Sequence, residues 1–174
     1  MTHYDYIILG AGSAGCVLAN RLSENSSNKV LLLEAGGSDR RFFVQMPIGY
    51  GKTYHQKEVN WMYMTEPSPY ADNKPSYWPR GKVLGGSSSI NAMVYVRGNP
   101  RDFDEWSEAG NPGWSYEEVL PYFKKMESWQ NGADNYRGGD GPLNVSEVSS
   151  QLHPLCDNFL AAAQEIGIRL NPDM

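Results

Sequence analysis

Cysteine is scarce. Cys16 and Cys156 are the only two in 174 residues, and their spacing fits neither a metal clamp nor a disulfide framework. A cross-linked secreted scaffold and a zinc module are therefore excluded, and a reducing cytoplasmic compartment is the expectation. Cys16 reads as a small buried packing residue. Histidine is limited to His3, His55 and His153, and no metal site is expected. Basic charge is in deficit: 15 Lys and Arg stand against 20 Asp and Glu, a net charge of −5. The only basic doublets, Arg40-Arg41 and Lys124-Lys125, read as solvated surface, so nucleic acid is not a partner. Long apolar runs are missing too. None approaches the ~20 residues of a membrane helix, and the first strand is too short for a signal-peptide core. No transmembrane segment, internal repeat or low-complexity tract is expected.

Glycine is what the chain has, and it is placed with purpose. Tyr6-Ile7-Ile8-Leu9 reads as a buried parallel strand. Gly10-Ala11-Gly12-Ser13-Ala14-Gly15 follows at once. A helical stripe comes next, with Ala14, Val17, Leu18 and Leu22 on one face, broken at Asn25 to Asn28. Val30 to Leu33 is a second apolar strand, and it delivers Glu34. In such a unit the first glycine makes the tight turn, the second admits a pyrophosphate, and the third lets helix and strand pack closely. The helix N-terminus aims free N–H groups and its positive dipole end at the anion. Glu34 is placed to accept hydrogen bonds from ribose hydroxyls. Strand, turn, helix, strand and acid together predict a dinucleotide site.

From Gly36 to Arg80 the periodicity fades. Prolines and glycines punctuate a segment dense in aromatics, among them Phe42, Phe43, Tyr50, Trp61, Tyr63 and Trp78. So many rings predict an ordered excursion rather than a linker, with a strand over Trp61 to Thr65. A second glycine cluster, Gly81-Lys82-Val83-Leu84-Gly85-Gly86-Ser87-Ser88-Ser89-Ile90-Asn91, predicts a helix capped near Ser88 and a second set of free N–H groups. Further on, Asn99-Pro100 opens a helix to Ala109 that Gly110 stops. Ser115 and Glu118 form a capping box for a helix from Tyr116 to Ser128, with Pro121 as a kink or offset. A polar glycine-rich loop spans Asn131 to Pro142, and Leu143 to Val145 forms a short strand. A last helix runs from His153 to Ile166, with Leu155, Phe159, Leu160, Ala163 and Ile166 as its stripe. Gly167 ends it, and a loop covers Asn171 to Met174.

The expected fold class is α/β: the N-terminal part of a Rossmann-like domain, with an incomplete parallel sheet plus irregular and helical excursions. Its segments are 1–36 (the dinucleotide unit), 37–80 (the excursion), 81–98 (the second motif) and 99–174 (the helical extension). Two parallel strands are marginal alone. The chain is therefore expected to need a C-terminal part, or another chain, to complete its sheet.

Gly10-x-Gly12-x-x-Gly15 combined with Gly81-Lys82-x-Leu84-Gly85-Gly86-Ser87-Ser88-x-Ile90-Asn91, Tyr95, Gly98 and Asp104 resembles the glucose–methanol–choline family of FAD-dependent oxidoreductases. The run from Trp78 to Trp106 is similar to the family's choline and other alcohol dehydrogenases. The resemblance implies FAD as cofactor, a small-molecule alcohol as substrate, and oxygen or a quinone-type compound as electron acceptor. It implies that Gly10, Gly12, Ser13, Ala14 and Gly15 line the pyrophosphate. Glu34 and Ala35 hold the adenosine ribose, and Trp61 lies near the adenine end. Val83, Gly86 and Ser87 run toward the flavin, and Asn91, Ala92, Met93 and Val94 sit against its ring. Some relatives attach FAD covalently through a histidine at the position of Asn91; asparagine implies non-covalent FAD. The family's catalytic histidine lies in a C-terminal region beyond these residues, so no catalytic residue is assigned here, and the isolated chain is expected to be catalytically incomplete. Two other readings stand beside this one. Glu34 would suit the ribose of NAD as well, although a nicotinamide domain has no need of the second glycine cluster. The third reading is a flavin-binding fragment without turnover.

Overall fold

The computed structural model describes residues 3–171. The terminal loop expected at Asn171 to Met174 therefore falls, past Asn171, outside the described residues. The chain divides into two compact units, Met1–Val94 and Tyr95–Met174.

The first unit opens with β1 (Tyr6–Leu9), α1 (Ser13–Ser23) and β2 (Val30–Leu33). The two strands are parallel, with Tyr6 opposite Val30 and Leu9 opposite Leu33. Both strands fall where the apolar runs predict them, because β-branched and leucine side chains fill a pleated surface and the glycine turn leaves only a helical return. The excursion is ordered, as its aromatics predict. It carries two single-turn helices, α2 (Phe42–Gln45) and α3 (Tyr50–Thr53), then a two-stranded antiparallel ribbon of β3 (Tyr63–Met64) and β4 (Tyr77–Trp78). The core of this unit is Val59, Val83 and Ile90, with Val44 packed against it. It lies under the second glycine cluster rather than under the first sheet.

Four expectations need correction here. The strand predicted as buried at Tyr6–Leu9 buries only Ile8, with Ile7 60% and Leu9 81% exposed, because its sheet has two strands among the described residues. The helix predicted near Ser88 is a single 3₁₀ turn, Gly86–Ser89. The serine hydroxyls do not accept from amides ahead of them. Ser88 Oγ donates back to the Gly85 carbonyl at 2.6 Å and Ser89 Oγ to the Leu84 carbonyl at 2.6 Å, which closes a turn instead of starting a helix. The apolar stripe of α1 is not buried: Val17 is 59% and Leu18 52% exposed, and Gly15 is the helix's one buried residue. Cys16 is also exposed, its thiol donating to the Ala11 carbonyl at 3.3 Å.

The second unit holds α4 (Pro100–Glu108), α5 (Tyr116–Met126), β5 (Glu127–Trp129), β6 (Leu143–Val145) and α6 (Leu155–Glu165). Both predicted N-terminal caps form. Asn99 accepts from the Arg101 amide while Asp102 reaches back to the Asn99 amide. Ser115 and Glu118 make the reciprocal box on α5. That helix runs through Pro121 and ends two residues early, because Glu127 turns into β5, a strand the sequence pattern did not announce. β5 and β6 pair in parallel across the glycine-rich loop. Phe103 packs edge-on against Trp106 and Phe123, joining α4 to α5. Glu127 is wholly buried and ion-paired with Arg97 and Arg137. The stripe of α6 faces outward, with Phe159 75% exposed. Among the described residues, no helix is long and apolar enough to cross a membrane.

Candidate functional site

The site grows out of the first glycine turn. Gly10 takes φ +93°, and its amide donates to the Leu33 carbonyl at 2.7 Å, tying the end of β1 to the end of β2. Gly15 sits so close behind the turn that a Cβ there would lie 1.9 Å from the Gly10 carbonyl oxygen. Its role is packing, as the third glycine of such a turn predicts. At the N-terminus of α1 the leading amides have no partners within the helix. Glu34 folds back on this turn, its carboxylate accepting from Ala11 N at 2.7 Å and from Gly36 N at 2.8 Å. A carboxylate has about four lone-pair sites, so acceptor capacity remains for a ligand hydroxyl.

The second glycine cluster locks onto the first. Gly85 N donates to the Ala11 carbonyl at 2.8 Å, and Ser13 Oγ meets Ser88 Oγ at 3.2 Å. Gly86 is buried at φ +59°, and a Cβ there would stand 2.8 Å from Gly12 Cα. The expected second set of free amides is corrected in part. Gly85 N and Gly86 N are spent on Ala11 and Val83 carbonyls, and Gly81 N on Ser87 Oγ. Gly85 N thus holds the two glycine segments together, and the other two amides close turns within the second cluster instead of waiting for an anion.

Between the segments opens a groove of about 660 Å³. Of the predicted residues, Gly10, Gly12, Glu34, Ala35, Trp61, Gly86 and Ser87 line it. Sequence reasoning did not assign Tyr63 or Arg80 to it, and Gly81, the first residue of the predicted second cluster, lines it as well. The ring of Tyr63 stacks on that of Trp61 with centroids 5.9 Å apart and planes 5° apart, and Lys82 Nζ sits 4.7 Å from the Trp61 centroid. The alternation Trp61-x-Tyr63 was the available signal. The remaining predicted residues are placed differently. Val83 is fully buried in the core, and its carbonyl accepts from Gly86 N. Asn91 and Met93 border a second, smaller cavity of about 190 Å³, with Met46, Tyr50 and Ser88 among its other walls. Asn91 Oδ1 accepts from Met93 N at 2.9 Å and holds Met93 at φ +60°. Ser13, Ala14, Ala92 and Val94 border neither cavity.

The histidines stand elsewhere. His3 lies 3.8 Å from Asp5, His55 stacks on Tyr77 with centroids 5.8 Å apart, and His153 Nδ1 accepts from Leu155 N. Among the described residues no group of three or more metal-ligating side chains assembles. The groove thus offers binding chemistry: two glycine backbones in contact, an acid at the second strand's end, and a stacked aromatic pair with cations beside it.

A parallel β–α–β unit with this turn and this acid defines a dinucleotide-binding protein of the Rossmann class. The chain belongs to the GMC oxidoreductase family, whose profile matches residues 4–173. It is 53% identical over 167 residues to an oxygen-dependent choline dehydrogenase of Photobacterium profundum, covering 95% of this chain and 29% of that protein. Among solved structures, pyridoxine 4-oxidase from Mesorbium loti superposes with a TM-score of 0.83 at 36% identity, covering 96% of this chain and 33% of that one. An FAD-dependent oxidoreductase from Chaetomium thermophilum superposes with a TM-score of 0.75 at 34% identity, covering 95% and 30%. The chain therefore spans about a third of the length of these relatives. FAD, rather than a nicotinamide, is the cofactor this membership supports. The two segments touch as closely as they do only because Gly86 has no side chain, since a Cβ there would meet the Gly12 backbone.

Proposed function

We propose that this chain is the FAD-binding portion of an alcohol oxidoreductase that oxidises a primary alcohol, of which choline is the leading candidate. Bound in the groove, FAD would supply the hydride acceptor at its N5 position. The residues of this chain bind and orient. The α1 N-terminus and the Gly10–Gly12 turn take the pyrophosphate, Glu34 takes a ribose hydroxyl, and Trp61 lies beside the adenine end. The 91–94 segment faces the ring, and the base that removes the alcohol proton comes from elsewhere in the enzyme. The carrying observation is the lock between Gly86 and Gly12 in the wall of a groove that Glu34 also lines. Oxygen or a quinone-type acceptor would complete the cycle, and the relative's description as an oxygen-dependent choline dehydrogenase supports choline and oxygen.

An absorbance scan of the purified protein tests the reading. Bands near ~370 and ~450 nm are expected from the flavin, and a nicotinamide or colourless protein would overturn it. Asn91 in place of a linking histidine makes the cofactor dissociable. Denaturation should release all the yellow colour, and flavin left on the precipitated chain would contradict this. With a primary alcohol and an artificial electron acceptor, residues 1–174 alone are expected to give no turnover.

A further inference from the structure

Resting on the flavin-site reading above, we propose that Asn60 is the positioning residue of the groove's aromatic wall, its buried carboxamide setting the places of Trp61 and Arg80. Tyr63 opposite Trp78 and Asn60 opposite Gly81 belong to one antiparallel register, which sets Trp61 against Arg80 and Met62 against Pro79. Met62 and Pro79 fall on a non-hydrogen-bonded pair of this register, so the missing proline N–H costs no ladder bond. Trp61 N donates to the Arg80 carbonyl at 2.9 Å. The return bond of a regular pair is replaced, because Arg80 N donates instead to Asn60 Oδ1 at 2.9 Å. The same oxygen accepts from Met62 N at 2.9 Å, with Met62 at φ +55°, outside the range of an extended strand.

The other end of the carboxamide is equally committed. Nδ2 donates to the Tyr54 carbonyl at 2.9 Å and to Tyr77 Oη at 3.1 Å. Asn60 is 2% exposed, and all four hydrogen-bonding positions of its side chain are used. One side chain thus ties together three segments of the excursion, around Tyr54, Asn60–Met62 and Tyr77–Arg80. The two amides on its oxygen belong to Met62, next to Trp61, and to Arg80. Trp61 and Arg80 line the groove, and Trp61 carries the Tyr63 stack. An apolar residue of similar size would take the acceptor away from the Met62 and Arg80 amides, and Met62 would have no reason to keep its left-handed turn.

A double-mutant cycle on cofactor affinity in the intact protein tests this. Asn60→Leu is expected to raise the Kd for FAD about tenfold, the effect of one or two buried hydrogen bonds. In a Trp61→Ala/Arg80→Ala background the same change should cost less than about twofold, because the side chains it positions are gone. Tyr77→Phe removes only one of the four partners; it is expected to give a smaller loss with the same cancellation, and it serves if Asn60→Leu does not fold. Affinity unchanged by both variants in folded protein, or an equal loss in both backgrounds, overturns the proposal. A wild-type protein that takes up no flavin would instead sink the function proposed above.

Discussion

Gly15 and Gly10 belong to one turn, yet a methyl group added at each should do different harm. At Gly15 the new Cβ would press on the Gly10 carbonyl at 1.9 Å, a backbone atom that cannot step aside. Gly15→Ala is expected to cost about 3 kcal/mol and to leave the protein without flavin. At Gly10 nothing lies within 4 Å and only the positive φ objects, so Gly10→Ala should cost about 1–2 kcal/mol. Chemical denaturation with a flavin-content assay separates the two. Gly86→Ala meets both problems together, a left-handed φ and Gly12 Cα at 2.8 Å. It is expected to part the two glycine segments, seen as cofactor loss exceeding the loss of stability.

At the scale of elements, the cap and the proline of α5 give opposed expectations. Glu118 is held below the usual carboxylate range, first by the Ser115 hydroxyl and then by the Ser115 amide. A carboxyl whose pKa is depressed by folding stabilises the folded state at neutral pH and loses that contribution as pH falls through its folded value. Ser115→Ala should therefore lower the melting temperature at pH 7, and the gap from wild type should narrow in acid. A gap that stays constant with pH would separate the cap from Glu118. Pro121 takes an N–H out of the interior of the helix. Pro121→Ala restores it, and thermal melting should show a net gain of about 1–2 kcal/mol after the greater freedom of the unfolded chain is allowed for.

For the whole molecule, the decisive feature is apolar surface left open. Leu9 is 81% and Ile7 60% exposed on β1, and Phe159 and Ile166 stand out from α6. Patches of this kind mark surfaces that another element covers. With the chain spanning about a third of its relatives' length, residues 1–174 alone are expected to bind a hydrophobic dye and to self-associate in size-exclusion chromatography. A dye-silent monomer with a sharp melt would show that the two-stranded sheet stands without help.

Apart from the FAD assignment, which came from the resemblance to a family, the sequence by itself determined the β–α–β unit, the acid at its end and both N-caps. Each rests on a signal local in the chain: an apolar run, a glycine spacing, a Ser-x-x-Glu pair. Only the tertiary structure decided that Gly85 spends its amide on the first turn, that Val83 is core, that β5 exists, and that Tyr63 and Arg80 share a wall with Trp61. Those outcomes depend on which distant backbone atom reaches an amide first. A hydrogen bond between residues far apart leaves no periodicity in the sequence, because either partner alone is compatible with many others.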